Sequence, residues 1–186
     1  RQDTITPIIK ALNNSRIHLY KDSGNYEIDG HPGFFWNIFS CFDEENWNIV
    51  APTADGVNIA LYHGAAYGSL TDTDWQLEGE ISKGMFKGFD FALLGDIHKR
   101  QFLNEEKTVA YCGSTIQQNY GESIDKGFLC WDIRGKGDFD VEFHSVQPVH
   151  PFYTVEWLGS VEETLDYCES LPRQSKIRIR ADNFIS

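Results

Sequence analysis

The amino-acid sequence predicts an α/β fold, and three patterns carry that prediction. Short apolar segments with strand-like residue types recur along the chain, helical periodicity is confined to two segments, and several strand segments are apolar on both faces. A strand that is apolar on both faces belongs to a sheet that is covered on both sides. We therefore expect a central sheet with a layer packed against each face.

The first helix is expected over residues 3–14, because Asp3 and Pro7 are typical of a helix start. Four apolar residues at helical spacing form one face of it: Ile5, Ile8, Ile9 and Leu12. Strands are expected in segments separated by turn residues: 16–20, 26–28, 33–39, 57–62, 89–94, 108–112, 127–133 and 139–146. The acidic residues 41–48 are expected to form a surface loop. The polar, glycine-containing residues 65–79 have little periodicity, which indicates a mobile loop.

A second domain is expected to begin at residue 149, after a first domain over residues 1–148. A proline-containing linker precedes a predicted strand at 152–158, a helix at 160–171 and a strand at 176–180. Ser160 and Glu163 form a capping box at the start of that helix. Because a β-α-β unit of this size cannot close a core alone, we interpret residues 149–186 as the beginning of a domain.

Composition limits the classes of function. The chain has 186 residues with 16 basic and 28 acidic side chains, a formal net charge of −12. This balance argues against a broad basic surface that wraps DNA, so any nucleic-acid contact is expected to be local, metal-assisted or supplied by a partner. No apolar run approaches the roughly 20 residues that a membrane span requires, and we expect no membrane partner.

The four cysteines contain no Cys-x-x-Cys pair, which favours a reducing, cytoplasmic setting. Cys112 and Cys130 lie in apolar strand-like runs, where we expect a free cysteine to behave as a small hydrophobe. The chain begins with Arg1 and has a single methionine, Met85, so we expect it to be part of a longer protein.

Candidate metal ligands follow two of the predicted strands. His63 ends the first of these segments, and Gly95, Asp96 and His98 end the second. Ligand sites in open α/β sheets form beyond the carboxyl ends of strands, and residues two apart in an extended turn point to the same side. Imidazole nitrogen with carboxylate oxygen suits manganese, iron, magnesium or zinc. Each motif alone also occurs as a structural histidine or a simple turn, but together they predict that His63, Asp96 and His98 bind metal.

Candidate phosphate-binding residues lie beside these ligands. Lys99 and Arg100 directly follow His98, and two cations next to a metal site are suited to clamp a phosphodiester. Ser114 follows another predicted strand within Gly-Ser-Thr, where backbone N–H groups and hydroxyls can hold phosphate. Both segments are also typical of solvated turns. The other four histidines are interpreted as structural or solvated: His18, His31, His144 and His150.

In chain order these segments resemble the calcineurin-like metallophosphoesterases, and within them the SbcD-type DNA nuclease subunits and their phage recombination-endonuclease relatives. The matching segments are Ile59–Gly64, Phe89–Lys99, Val109–Ser114 and Gly121–Glu122 with Lys126–Phe128. The resemblance covers roughly residues 1–150, and residues 151–186 are similar to the start of the capping domain of the family. It implies the C-terminal half of a four-layer α-β-β-α sandwich, followed by the start of a small α+β cap.

The resemblance also implies a chemistry. The family binds two divalent ions, typically manganese, with magnesium, iron or zinc as alternatives. His63 and Asp96 would then bind one ion and His98 the other, and the two ions would activate water for attack on a phosphodiester. The implied function is a DNA exo- or endonuclease of repair or recombination. Its implied partners are DNA, an ATPase subunit of the SbcC type and a second copy of the nuclease subunit.

The sequence departs from the family pattern at two points. Asp96 stands where the second signature, Gly-His-x-His, usually has its first histidine. The chain contains no Gly-Asn-His-Asp, and no segment ahead of residue 57 corresponds to the Asp-x-His and first Gly-Asp signatures of the family; these three N-terminal signatures supply the other ligands and the catalytic histidine. We therefore expect this chain alone to bind metal weakly and not to catalyse.

Two alternatives stay open. One is another metallophosphoesterase that acts on nucleotides, RNA or phosphoprotein, which substrate profiling would separate from a DNA nuclease. The other is a non-catalytic scaffold that has kept the fold and lost the metal site. Metal analysis of the intact protein would separate this scaffold from an enzyme.

Overall fold

A computed structural model describes residues 3–79 and 81–181, and within these ranges the chain has a mixed α/β fold, as predicted. The helices are α1 (Ile5–Leu12) and α2 (Val161–Ser170). The strands are β1 (Gly24–Glu27), β2 (Phe34–Phe39), β3 (Val57–His63), β4 (Phe91–Gly95), β5 (Gln101–Phe102), β6 (Val109–Tyr111), β7 (Gly127–Gly135), β8 (Asp138–Ser145), β9 (Phe152–Glu156) and β10 (Lys176–Arg180). Short 3-10 helices occupy Glu44–Ile49 and Lys83–Phe86.

Six strands form the central sheet, in the order β1-β2-β3-β4-β6-β5. The four inner strands are parallel to one another, and the two outer strands are antiparallel to their neighbours. The carboxyl ends of β3, β4 and β6 therefore meet at one edge of the sheet. That edge is the place where the sequence predicts the site.

Both faces of the central sheet are covered, which confirms the prediction made from the apolar strands. Alternate residues of β4 point to opposite faces, so Phe91 and Leu94 belong to different cores. On one face the β7–β8 hairpin supplies the cover, and the rings of Phe91 and Phe139 lie 5.0 Å apart between centroids. The sheet and the hairpin thus form two stacked β layers.

The other face is covered by the irregular residues 65–79 and 81–89 rather than by a long helix. Among these, Ala66 and Ser69 are fully buried, and Phe86 contributes to the core. Backbone hydrogen bonds fold the segment on itself, from Tyr67 N to Ile81 O (2.8 Å) and from Leu77 N to Ser69 O (2.8 Å). The prediction of a mobile loop over 65–79 is therefore wrong for its buried part, because a sheet face this apolar requires cover.

Two other local expectations are corrected. Residues 16–20 alternate but form no strand in the described chain. Cys130 is exposed because it lies on the outward-facing side of β7, and Cys112 is exposed just beyond the end of β6. The apolar face of α1 is also exposed, with Ile8 and Leu12 more than half accessible.

The last elements form a sheet of their own. Strands β9 and β10 are parallel, and α2 connects them. The predicted cap of α2 is confirmed, because the Glu163 backbone N–H donates to Ser160 Oγ at 3.2 Å. Gln117 joins this unit to the first part of the chain through two hydrogen bonds with the backbone of Phe152. The division into domains at residue 149 stays a prediction.

No helix among the described residues combines the length and the apolar character needed to cross a membrane.

Candidate functional site at the sheet edge

Three chain segments leave the central sheet at the same edge. His63 is the last residue of β3 and is paired in register with Gly95, the last residue of β4. Tyr111 is the last residue of β6 and is paired with Leu94. The turns that follow these residues are consequently neighbours, in the position where open α/β sheets bind ligands.

The structure brings His63 and Asp96 together. His63 Nε2 lies 3.6 Å from Asp96 Oδ1, and both side chains are more than half exposed. Gly95 makes this approach possible, because a Cβ at that position would lie 2.8 Å from His63 Nδ1. The pair is therefore open to a ligand from solvent and depends on a residue without a side chain.

The backbone at Asp96 is left-handed, with φ of 88°. This region is uncommon for residues other than glycine, and such strain costs on the order of 1–3 kcal/mol and is concentrated at functional sites. The prediction that Asp96 and His98 lie in an extended turn is wrong in this respect. Their side chains nevertheless face one cavity of about 470 Å³, because the buried Ile97 fixes the turn between them.

His98 is held by a different set of contacts. Its Nδ1 lies 2.9 Å from Glu122 Oε1, and its Nε2 lies 3.3 Å from the side-chain nitrogen of Gln118. The structure thus brings the three predicted ligands to one rim as two groups, His63 with Asp96 and His98 with Glu122.

The donor atoms fit a metal only in part. Nitrogen and oxygen ligands lie about 2.0–2.2 Å from a transition-metal ion, so two ligands of one ion at ordinary angles are roughly 3.0–3.6 Å apart. The separation of 3.6 Å between His63 Nε2 and Asp96 Oδ1 meets this condition. Among residues 3–79 and 81–181, however, no group of three or more His, Cys, Asp and Glu side chains is placed to hold an ion. His63 and Asp96 therefore make two ligands and not a complete coordination sphere.

A buried charge cluster lies beneath His98, and the sequence analysis gave its members no role. Lys126 Nζ lies 3.0 Å from Glu122 Oε2 and 3.2 Å from Asp72 Oδ2, with the lysine side chain 2% exposed and that of Glu122 5% exposed. Burial favours the neutral form of Glu122, but hydrogen bonds from His98, the Gln118 backbone N–H and Lys126 outweigh it and lower the pKa of this carboxyl. Glu122 and Lys126 are four residues apart in a segment that resembles the metallophosphoesterases. This spacing is the sequence signal by which the two residues could have been singled out.

Each predicted phosphate-binding residue has a partner within the chain. Lys99 forms an ion pair with Asp74, and Arg100 lies 3.3 Å from Asp125 and 3.7 Å above the Phe143 ring. The hydroxyl of Ser114 donates to the Ile116 carbonyl oxygen at 2.9 Å. These three residues line a second cavity, of about 270 Å³, next to the first. A phosphate bound there would compete with the two aspartates for the cations.

Tyr111 fixes the turn after His63, which the sequence did not reveal. Its buried hydroxyl donates to the Gly64 carbonyl oxygen at 2.7 Å and accepts the Ala66 backbone N–H at 2.8 Å. Burial raises the pKa of this phenol, so the hydroxyl keeps the proton that it donates to the Gly64 carbonyl oxygen.

No model of a known protein family matches the chain. The chain is similar to the uncharacterized protein R555 of Acanthamoeba polyphaga mimivirus, with 32% identity over 197 aligned positions. The alignment takes in 98% of this chain but 14% of the viral protein, so the chain spans a small part of that relative's length. The name of the relative states no activity.

Proposed function

We propose that this chain supplies His63, Asp96 and His98 to the metal site of a DNA nuclease of the calcineurin-like metallophosphoesterase class, as in SbcD-type subunits. The observation that carries the proposal is the position of the His63–Asp96 pair. It lies at the carboxyl ends of two neighbouring parallel strands, open to solvent, with His98 on the same rim. We also propose that the sheet and the β7–β8 hairpin correspond to half of a four-layer α-β-β-α sandwich, and that residues 149–186 begin a small α+β cap.

The cofactor we propose is a pair of divalent cations, with manganese as the first choice. His63 and Asp96 would hold one ion and His98 the other, and further ligands would have to come from outside these residues. Two bound cations supply an activated water and stabilise the charge that develops on the phosphoryl oxygens. The chain's own contribution is to present one carboxylate and two imidazoles on a rigid sheet edge.

Trp75 supports nucleic acid as the substrate. Its side chain is 72% exposed and lines the same cavity as Asp96 and His98. Its backbone is held by Thr71, which accepts the Trp75 N–H at 3.2 Å through Oγ1. An exposed indole beside a phosphodiester site is suited to stack on an unpaired base.

The partners that belong to this proposal are DNA, an ATPase subunit of the SbcC type and a second copy of the nuclease subunit, in a cytoplasmic setting. The low positive charge of the chain supports an additional DNA-binding partner.

The proposal is tested by nuclease assays of the intact protein on linear double-stranded DNA with Mn²⁺. We expect cleavage that a chelator abolishes and that His98→Ala reduces by at least two orders of magnitude. His18→Ala is the matched control, because His18 is an exposed histidine outside the site. Cleavage that survives both the chelator and His98→Ala would contradict the assignment. Assays with nucleotides and RNA in parallel separate a DNA nuclease from other phosphoesterases.

A non-catalytic scaffold is the second candidate, and two observations favour it. The described residues contain no group of three candidate ligands, and Lys99 and Arg100 are already paired with aspartates. Purified intact protein without stoichiometric divalent metal would support the scaffold over the nuclease.

A further inference from the structure

We infer that Glu122 is a positioning residue for His98, which fixes the proton of the imidazole on Nδ1 and leaves Nε2 as the nitrogen available to a divalent cation. This inference deepens the proposed function and rests on it for the metal, while the hydrogen-bond arrangement itself stands on the geometry alone.

The acceptor character of Glu122 decides which ring nitrogen of His98 carries the proton. An ionised carboxylate has no proton to donate. Both oxygens of Glu122 face donors: Asn119 Nδ2 and His98 Nδ1 each lie 2.9 Å from Oε1, while the Gln118 backbone nitrogen (3.1 Å) and Lys126 Nζ (3.0 Å) approach Oε2. Because the carboxylate has no proton to donate, His98 Nδ1 is the donor in its hydrogen bond with Glu122.

The other side of the ring agrees with this assignment. The side-chain nitrogen of Gln118 lies 3.3 Å from His98 Nε2. An amide nitrogen donates and does not accept, so this contact has Nε2 as the acceptor. A neutral imidazole carries a single N–H, which the Glu122 contact places on Nδ1.

Glu122 is itself held firmly enough to direct the ring. Its carboxylate is nearly buried, and Lys126 joins it to Asp72 in a buried ion cluster. Lys126 Nζ also lies 3.2 Å from the backbone oxygen of His98, so the cluster holds both the ring and the main chain of this histidine. Removing one member of such a cluster leaves a buried charge without its partner.

The consequence for metal binding follows from general coordination chemistry. A metal binds the unprotonated nitrogen of histidine, and a carboxylate on the other N–H fixes the ring and raises its basicity. Loss of such a carboxylate typically lowers metal affinity by about 10–100-fold. Glu122 therefore prepares His98 as a ligand before any ion arrives.

The tautomer is measured directly by ¹⁵N NMR of the histidine side chains, without metal, at the basic end of a pH titration. We expect the Nδ1–H form for His98 in the wild-type chain and a shift toward Nε2–H in Glu122→Ala. Glu122→Gln keeps the volume and one acceptor oxygen, so it should preserve part of the Nδ1–H population and is the variant to use if Glu122→Ala does not fold. Asp55→Asn is the matched control, since Asp55 is an exposed carboxylate in a turn outside this cluster, and the His98 tautomer should then equal that of the wild type.

Binding of Mn²⁺ to the intact protein is the second readout. We expect Glu122→Ala or Glu122→Gln to weaken it by about 10–100-fold and Asp55→Asn to leave it nearly unchanged. An Nε2–H tautomer in the wild type, or the same tautomer in all variants, overturns the inference. The Nδ1–H tautomer in a protein that binds no Mn²⁺ supports the positioning geometry and overturns the proposed nuclease, so the two failures are distinguishable.

Discussion

Gly95 is the residue at which the backbone and the candidate site depend most directly on each other. We predict that Gly95→Ala displaces the His63 ring, because the added methyl would lie 2.8 Å from Nδ1. The imidazole is an exposed side chain that can swing away, so the melting temperature should change little. Affinity for Mn²⁺ in the intact protein should fall by about tenfold or more, as for other losses of ligand orientation.

Calorimetric titration with Mn²⁺ and thermal unfolding test this prediction together. Gly135→Ala is the matched control, since a methyl group there would have no neighbour within 4 Å. Unchanged affinity in Gly95→Ala would show that the position of His63 does not matter for metal.

Tyr111 provides a prediction about stability rather than binding. Tyr111→Phe leaves the Gly64 carbonyl oxygen and the Ala66 N–H without the hydroxyl that joins them. A buried polar group without a partner costs about 1–3 kcal/mol, so we expect the free energy of unfolding to fall by about that amount. Urea titration measures it, with the exposed Tyr67→Phe as a control that should differ little from the wild type.

At the residue scale the sequence predicts the His63–Asp96 pair but not the Glu122 contact. His63 and Asp96 follow adjacent parallel strands, and strand ends in register bring their turns together. Glu122 lies 24 positions after His98 in a segment without periodicity, and only the folded chain brings the two together. The partners of Lys99 and Arg100 are aspartates from distant turns, which a local reading of charge does not reveal.

At the scale of elements, Asp43 connects the short helix Glu44–Ile49 to the start of β1. Its carboxylate accepts the Ser23 backbone N–H at 2.7 Å and also contacts the Asn46 side chain. These bonds lower the pKa of Asp43 below its ordinary value of 3.8, the Ser23 bond contributing most. A lowered pKa in the folded state stabilises the fold above the ordinary value, and that stability is lost as the pH falls through the lowered pKa.

We therefore predict that acidification from about pH 6 to about pH 3 reduces the stability of the wild-type chain more than that of Asp43→Asn. Unfolding midpoints at both pH values test this. Asp55→Asn is an exposed control in a turn, expected to follow the wild type. Equal acid sensitivity in Asp43→Asn and the wild type would contradict a role for this carboxylate.

Most elements could be predicted from the sequence, and the exceptions share a cause. The strands β3, β4, β7 and β8 follow apolar segments that fill a core, and α2 follows its capping box. Strand β5 has two residues and exists only because β6 offers it an edge. Residues 16–20 have the alternation of a strand but pair with no strand among the described residues, so alternation alone did not predict the element.

At the scale of the whole molecule, the chain presents an acidic surface and one exposed indole at the candidate site. We predict that Trp75→Ala weakens binding of single-stranded DNA to the intact protein by about 1–3 kcal/mol, the usual contribution of one stacked base. Fluorescence anisotropy with a labelled oligonucleotide measures it. Trp157→Ala serves as a control, because this indole lies in the C-terminal β-α-β region. Equal weakening in both variants would argue against a specific stacking role.

We propose that the rim formed by His63, Asp96 and His98 holds divalent metal, and metal analysis of the intact protein tests this most directly. Protein equilibrated with Mn²⁺ and then freed of unbound ions should retain about two ions per molecule, as expected for a two-metal phosphoesterase. His63→Ala and Asp96→Ala should each lower that content, while His18→Ala should not. A wild-type protein without bound divalent metal, or a content that neither substitution changes, would contradict the account.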